Sequence, residues 1–324
     1  MQEKINKLIK QIDKAQNILI SAHIAPDGDA IGSSFGLCLI LRNMGKNAFV
    51  VKNDEYPKYI NFMYRDDIYF NDEFEKADLF ISVDSADKER IGSSAKYMDE
   101  AEDTAIIDHH ITNKGYSNND IIYMSSSASE MVAEIFIDSN IEIPKEAANY
   151  LYLGIMTDTY RFQYDAADAK TLENAAKLIR LGADKKIIQE ELYDRLDINQ
   201  LFLQVEVIKN ATRIGKQIIT AKITKDLVAK FGMTMDDAEG LVSMLRTING
   251  IEVSAIAKEE SEEETKLSFR SQAQVDVSKI AVEFGGGGHV RASGATAKGN
   301  IDQVFARLNE RMEKLYEDGD LSDK

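Results

Sequence analysis

The chain has 324 residues, of which 44% are hydrophobic and 29% charged, and its formal net charge is −16. This length allows two domains that each bury a core. Affinity for a long phosphate backbone needs a broad basic surface, so the charge argues against a protein that tracks long duplex nucleic acid. The longest apolar runs, such as 17–21 and 79–83, are far shorter than the roughly 20 residues that cross a bilayer. Because the N-terminus also lacks the apolar core of a secretory signal, we expect a cytoplasmic protein without membrane contact.

The first half of the chain alternates β-rich runs with helical patterns. The predicted strands are NILIS, NAFVV, LFISVD and TAIID, and a helix is predicted from about Ala30 to Met44. This alternation predicts an α/β domain, with a parallel sheet and helices on both of its faces. Polar residues directly follow three of the strands, at 23–29, at Asp84 and at 108–110. Since ligands of such sheets bind at the carboxyl ends of the strands, these residues mark a candidate site.

The second half of the chain begins with a helical pattern that spans residues 129–210. Strands QIITAKI, IEVSAIA and TKLSFRS follow, with helices near 235–245 and 277–284. We therefore expect a first domain over 1–185, a helical linker over 186–210 and a smaller α/β domain over 211–324. The acidic run 259–264 is predicted to be a solvated hairpin tip.

The histidines and a set of aspartates carry the chemistry. All four histidines lie in polar or glycine-rich motifs: His23, His109, His110 and His289. The aspartates expected at one edge of the sheet are Asp27, Asp29, Asp84, Asp108 and Asp158. Acids this close raise one another's pKa unless cations compensate, and a ligand set without thiolate favours manganese, magnesium or iron. Any one of the aspartates could simply cap a helix or a turn, but the five together favour a divalent metal centre.

Four ordered motifs and a glycine-rich segment resemble one family, the DHH superfamily of phosphoesterases. The motifs are His23-xxx-Asp27-x-Asp29, Asp84, Asp108-His109-His110 and Asp158 in GIMTD. SFRS at 268–271 and GGGGHVRASGA at 285–295 are similar to the DHH-associated C-terminal domain. The resemblance covers nearly the whole chain, and it implies a catalytic first domain and a substrate-binding second domain.

The resemblance also implies two divalent metal ions, with manganese expected. The implied ligands are His23, Asp27 and Asp84 for one ion and Asp29, Asp84, His109 and Asp158 for the other. A bridging Asp84 would hold the ions about 3.5–4 Å apart. Asp108 is implied to orient the histidines, and His110 to contact the scissile phosphate and protonate the leaving group.

In the second domain, the glycine-rich segment and its basic neighbours are expected to bind the substrate. Consecutive glycines let backbone N–H groups approach a phosphate or a base closely, and an arginine offers a fork suited to a terminal phosphate. A flexible turn is the simpler alternative for the glycines alone. The expected substrate residues are Arg270, Gly286, Gly287, Gly288, His289, Arg291 and Ser293.

Within the superfamily, the compact two-domain layout most resembles the nanoRNases and 3′-phosphoadenosine 5′-phosphate phosphatases. We therefore expect an exonuclease-like hydrolase of short oligoribonucleotides and of 3′,5′-bisphosphate nucleotides. A phosphodiesterase for cyclic or linear di-AMP is the nearest alternative, ahead of a manganese inorganic pyrophosphatase and of a non-catalytic RNA-binding module. A homodimer is left open. One departure is Tyr160, where nanoRNase relatives commonly have glycine.

Overall fold

The computed structural model of the chain describes residues 1–164, 166–195 and 197–317. The chain divides into two compact units, of which the first is Met1–Arg195 and the second is the remainder. The division falls inside the predicted linker 186–210, whose boundaries stay a prediction. Residues 318–324 of the predicted second domain lie outside the described residues.

The first unit is built on a parallel sheet. Its strands are β1 (Asn17–Ser21), β2 (Asn47–Val50), β3 (Leu79–Val83), β4 (Asp103–Asp108) and β5 (Asp120–Ile122). Their order in the sheet is β2-β1-β3-β4-β5, and all of the pairs are parallel. The helices are α1 (Gln2–Lys14), α2 (Gly28–Asn43), α3 (Ala95–Glu100), α4 (Ala128–Asp138), α5 (Lys145–Asp158), α6 (Ala169–Arg180) and α7 (Lys185–Gln189). A π-helical turn at Glu190–Asp194 ends the unit.

Alternating side chains of the sheet supply two cores. Ile18 and Ile20 pack into the large core that α2, α4 and α5 complete, whereas Leu19 and Phe80 pack against Met98 of α3 in a separate cluster. This division follows the two-residue period of a strand. The predicted α/β architecture, with helices on both faces of a parallel sheet, is therefore confirmed.

Helix α2 begins at Gly28, two residues before the predicted start. The cause is Asp27, whose Oδ1 accepts hydrogen bonds of 3.0 Å from the backbone N–H groups of Asp29 and Ala30. An aspartate in this position is a favoured N-cap because it satisfies amides that the first helical turn leaves free. One of the site aspartates therefore also starts a helix.

The second unit is built on a mixed sheet. Its strands are β6 (Thr212–Ile214), β7 (Ile218–Ile223), β8 (Val253–Glu259), β9 (Glu264–Ser271), β10 (Gly287–His289) and β11 (Ala292–Lys298). They are ordered β10-β11-β9-β8-β7-β6, with β7 and β8 parallel and the other pairs antiparallel. Its helices are α8 (Ile198–Lys209), α9 (Lys225–Lys230), α10 (Leu241–Arg246), α11 (Val277–Glu283) and α12 (Ile301–Glu317).

Both faces of this second sheet are also covered. Phe269 and Val304 belong to the core beneath α11 and α12, and Ile256 and Leu245 belong to the core beneath α8 and α10. The acidic run lies at the exposed turn between β8 and β9, so the predicted hairpin tip is confirmed. Among the residues that the structure describes, no helix combines the length and the apolar character needed to cross a membrane.

Candidate active site

The first unit gathers the predicted histidines and aspartates at the carboxyl ends of its strands. His23 follows β1, Asp84 follows β3 and His109 follows β4. Because β3 lies between β1 and β4 in the sheet, these three side chains come from adjacent strand ends. Asp29 in the first turn of α2 and Asp158 at the last residue of α5 complete the group.

Asp84 lies between two imidazole rings. Its Oδ2 is 3.4 Å from His23 Nε2, and its Oδ1 is 3.3 Å from His109 Nε2. The residue is only 3% exposed. Each oxygen of one buried carboxylate thus faces a different histidine, which is the arrangement that a ligand shared by two metal ions requires.

The ligand atoms form three overlapping groups, and within each group they lie within 4.8 Å of one another. The groups are His23, Asp27 and Asp84; Asp29, His109 and Asp158; and Asp84, His109 and His110. The first group equals the ligand set that the resemblance implies for one ion, and the second group joined by Asp84 equals the other set. The described residues therefore offer oxygen and nitrogen donors suited to hard or borderline divalent cations.

Backbone carbonyl groups orient both of the histidines that face Asp84. His23 Nδ1 lies 2.8 Å from Ile24 O, and His109 Nδ1 lies 3.3 Å from Ser125 O. A carbonyl oxygen can only accept, so each Nδ1 carries a hydrogen and donates it. Each Nε2 is left facing the carboxylates, which is the orientation in which a neutral imidazole binds a metal.

The crowding perturbs the ionisation of the ligands. Burial, followed by the charge of Asp84, raises the pKa of Asp29 to about 7, and burial and Asp29 raise the pKa of Asp158 well above its usual value. Burial alone would lower the histidine pKa values, but hydrogen bonds to nearby carboxylates raise that of His23 to about 11 and that of His109 to about 10. Protons thus supply the positive charge among these acids, and divalent cations would replace them.

We expect metal binding to release protons and to strengthen as pH rises through neutrality. His23 and His109 hold protons at neutral pH because their pKa values lie above it, and a metal binds only the neutral imidazole. Titration of chelator-treated protein with Mn²⁺, in two buffers of different ionisation enthalpy, measures the protons released. Equal binding heats in the two buffers would contradict this account.

The backbone at the site is strained. Asp84 and Ala25 have φ values of 49° and 51°, a left-handed conformation that costs a non-glycine residue roughly 1–3 kcal/mol. The N–H group of Asp84 still donates to Ile107 O at 3.1 Å, so the turn begins immediately after the sheet ladder. The surrounding packing therefore holds the proposed bridging carboxylate in a fixed position.

Asp108 contacts His110. Its Oδ1 lies 2.7 Å from His110 Nδ1, and its Oδ2 accepts a 2.7 Å hydrogen bond from Asn113 Nδ2. The hydrogen bond to Asp108 raises the pKa of His110. This histidine therefore keeps its proton to higher pH, as a general acid requires. Sequence reasoning missed Asn113, although a polar residue in the loop after the DHH motif was an available signal.

Sequence reasoning also missed Glu130, which holds the loop that orients His109. Its carboxylate is 2% exposed. The groups that donate to it, at 2.6 to 3.1 Å, are Ser125 Oγ, the N–H and Oγ of Ser126, Thr171 Oγ1 and Asn174 Nδ2. Because Ser125 O accepts the hydrogen of His109 Nδ1, Glu130 connects α6 to a histidine of the candidate metal site.

The serine-rich run 125–129 caps α4. Ser127 Oγ accepts a 2.9 Å hydrogen bond from the backbone N–H of Glu130, in the S-x-x-E spacing of a capping box. The two N–H groups between these residues, those of Ala128 and Ser129, donate to the Asp29 carboxylate at 2.7 and 2.9 Å. The chain itself therefore satisfies these three donors.

We expect Glu130→Gln to weaken Mn²⁺ binding by about tenfold to a hundredfold, the usual cost of losing a residue that orients a ligand. A glutamine brings an amide donor to a place where several donors already converge. Glu134→Gln is the matched control, since Glu134 lies one turn later on α4 and also faces α6 through Lys170. Calorimetric Mn²⁺ affinity is the measurement, and equal affinities in the two variants would remove the positioning role.

In the second unit, the sheet brings together only some of the predicted substrate residues. Arg270 and His289 are both paired with Ala292, so their side chains project from the same face. Ser293 is buried on the opposite face, where its Oγ donates to Val277 O at 2.7 Å. Arg291 Nη1 donates to Val275 O at 3.3 Å. Arg270 also has a contact within the fold, since its Nη1 donates to Phe269 O at 2.9 Å. Arg270 and His289 thus share one face of the sheet, and Ser293 lies on the other.

The glycines of this segment allow two strands to approach closely. A Cβ atom on Gly286 would lie 2.0 Å from Gly294 O, and Gly288 has a φ of 137°. Gly287 faces open space. Packing against β11 thus explains why Gly286 and Gly288 are glycines. Gly287 has no such packing reason, so it stays a candidate for close approach by a ligand.

The turn after α5 contains the departure at Tyr160. Tyr160, Arg161 and Phe162 all have left-handed φ values, between 47° and 62°. The guanidinium carbon of Arg161 lies 5.1 Å from the ring centroid of Tyr160 and 4.7 Å from that of Tyr193. These cation–π contacts hold a turn that a glycine would adopt without strain.

Comparison with known proteins identifies two domain families along the chain. The DHH family N-terminal domain matches residues 17–155, and the DHHA1 domain matches residues 215–315. The chain is 32% identical to the bifunctional oligoribonuclease and PAP phosphatase NrnA of Thermus thermophilus, over 94% of this chain and 93% of that protein. It is 33% identical to the protein of the same name from Bacillus subtilis, over 93% and 96% of the two chains.

A solved structure shows the same fold along the chain. An exopolyphosphatase-related protein from Bacteroides fragilis is 27% identical and superposes with a TM-score of 0.90 over 97% of both chains. The identity over full-length relatives, the two matched domains and the histidines and aspartates at the strand ends lead to one conclusion. The chain belongs to the DHH family and is a hydrolase of phosphate esters.

Proposed function

We propose that the enzyme hydrolyses short oligoribonucleotides from an end and removes a phosphate from 3′,5′-bisphosphate nucleotides, with two divalent ions, manganese being the expected metal. The observation that carries the proposal is the Asp84 carboxylate, whose two oxygens face two separate groups of ligands. Two such ions, when bound, activate water and stabilise the leaving oxygen of a phosphoryl transfer. The full-length relatives bear the name oligoribonuclease and PAP phosphatase, and the net charge of −16 suits a short substrate.

His110 is the proposed general acid. Its Nδ1–H donates to Asp108, which fixes the ring and leaves Nε2–H as the proton that the leaving oxygen receives. Asn113 holds the other oxygen of Asp108, so the acid is oriented through two successive hydrogen bonds. A fixed ring lowers the cost of reaching the transition state because the proton is already aimed.

The second unit is proposed to bind the part of the substrate that is not cleaved. Arg270 and His289 lie on one face of its sheet. A guanidinium group binds a phosphate through two parallel hydrogen bonds, and an imidazole can donate to a phosphate or stack with a base. The second unit would then determine which substrate lengths the enzyme prefers.

A parallel assay tests the proposal. Purified protein with Mn²⁺ is offered labelled short RNA, 3′-phosphoadenosine 5′-phosphate, linear di-AMP, cyclic di-AMP and pyrophosphate. We expect the short RNA and the bisphosphate nucleotide to give the highest specificity constants, and a chelator to abolish both activities. Preferential hydrolysis of cyclic di-AMP or of pyrophosphate would replace the proposal with the corresponding alternative. Binding of RNA with no turnover of any compound would favour the non-catalytic module.

A further inference from the structure

Asn53 follows β2 and contacts the end of the neighbouring strand β1, just before His23. Its Nδ2 donates to Ser21 Oγ at 2.9 Å and to Ala22 O at 3.2 Å. On the other side of the amide, Oδ1 accepts a 3.1 Å hydrogen bond from the backbone N–H of Ser94. A carbonyl oxygen can only accept and a backbone N–H can only donate, so these contacts fix the orientation of the amide. Asn53 therefore supplies a donor and an acceptor at the same time.

Ser94 and Ser21 form a buried pair of hydroxyl groups beneath this amide. Both residues are 0% exposed, and their hydroxyl oxygens lie 2.6 Å apart. The Ser94 hydroxyl also donates to Ile91 O at 2.6 Å and accepts from Asn53 Nδ2 at 2.7 Å. Ser94 ends the segment that begins with Asp84 at the end of β3. A satisfied buried network of this kind is rigid, so it holds the segment after β3 against the end of β1.

The same segment holds the residue that orients His23. The N–H of Ile24 donates to Arg90 O at 2.8 Å, and Ile24 O faces His23 Nδ1 at 2.8 Å. A Cβ atom on Gly92 would lie 2.5 Å from Ile24 Cγ2, so the backbone at residue 92 packs directly against this side chain. Contacts therefore lead from Asn53 through residues 90–94 to the carbonyl group that fixes the His23 ring.

We propose that Asn53 is a positioning residue for the ion expected at His23, Asp27 and Asp84. The inference rests on the proposed two-metal function, because it concerns the affinity for one of the two ions. The fold occupies both ends of the Asn53 amide, so the residue acts on the ion through His23. His23 belongs to only one of the two implied ligand sets, whereas Asp84 belongs to both. Loss of Asn53 should therefore weaken one ion more than the other.

The test is a calorimetric titration of chelator-treated Asn53→Leu with Mn²⁺. Leucine has nearly the same shape as asparagine but neither donates nor accepts. We expect binding of one ion to weaken by about tenfold to a hundredfold, the usual cost of losing a residue that orients a ligand, and that of the other to change by less than about threefold. Turnover at saturating Mn²⁺ should be largely retained, while the Mn²⁺ concentration that gives half of it rises with the weakened constant.

Asn47→Leu is the matched control. It makes the same substitution at the opposite end of β2, where the exposed Asn47 donates to Asn17 Oδ1 at 3.0 Å. Both Mn²⁺ constants should stay within about twofold of the wild type, since an exposed contact far from the strand end contributes little. A second comparison uses His23→Gln protein, in which adding Asn53→Leu should cause no further loss of Mn²⁺ affinity, because the effect passes through that ring.

The outcomes separate the positioning role from the enzyme's function. Equal weakening of both ions, unchanged affinity for both, or full additivity with His23→Gln would overturn the role and leave the proposed function standing. If the wild type binds no Mn²⁺ and hydrolyses none of the offered compounds, the proposed function fails and the role fails with it. Should Asn53→Leu melt well below the wild type, Ser94→Ala removes one hydroxyl group from the network and keeps Asn53. The same pair of Mn²⁺ constants then decides, and a selective but smaller weakening is expected.

Discussion

Asp84→Ala is expected to reduce turnover to below about one per cent of wild type, even at saturating Mn²⁺, because one substitution removes a ligand from both proposed metal positions. The first unit should remain folded. In the metal-free protein, the melting temperature at neutral pH should fall, because hydrogen bonds from His109 and His23 hold the pKa of the Asp84 carboxyl well below its usual value and its removal takes the shared partner from two protonated histidines.

The control for this variant is Asp87→Ala, which removes an exposed acid three residues later in the same loop. It should retain activity and metal. Turnover, bound manganese and melting temperature are measured on both proteins. Asp84→Ala with more than a few per cent of wild-type turnover, or with two ions still bound, would remove the bridging role.

His110→Gln is expected to lower kcat by roughly a hundredfold to ten-thousandfold while manganese content is retained, because general acid catalysis contributes about that much. Glutamine keeps a hydrogen-bond donor for the buried Asp108, so the loss reports chemistry rather than an unpaired buried charge. His109→Gln should instead lower manganese occupancy, since His109 Nε2 lies within 4 Å of three carboxylates.

Metal content and kcat together decide between these roles. If both variants lose manganese equally, His110 is a ligand and not the acid. If His110→Gln keeps both its metal and its turnover, the proton comes from another group. A substrate with a good leaving group is a further check, because it needs less help from an acid and should partly restore the turnover of His110→Gln.

The sequence predicted which histidines and aspartates the sheet would bring together because each lies in a short local pattern. His23, Asp84 and His109 follow apolar strands, and neighbouring parallel strands end at the same edge of a sheet. The sequence analysis offered helix capping and metal binding as alternatives for each aspartate. Asp27 is placed for both, since it caps α2 and also lies 3.8 Å from His23 Nε2. A local pattern could place these side chains although it could not measure the distances between them.

Other residues were beyond local patterns. Glu130 is joined to Thr171 and Asn174, which are 41 and 44 residues away in the chain, so only its capping-box spacing was visible in the sequence. The three-residue strands β5 and β10 are too short for a periodic signal.

The strained backbone at Asp84 and the crowded acids around it would connect the lifetime of this protein to the supply of the proposed metal. A left-handed aspartate among buried acids makes the metal-free fold less stable than its core alone would allow. An ion that binds only the folded state adds stability in proportion to the logarithm of its concentration. Scarcity of the metal would thus lower activity in two ways. Fewer sites would hold metal, and more of the chains would unfold and be degraded.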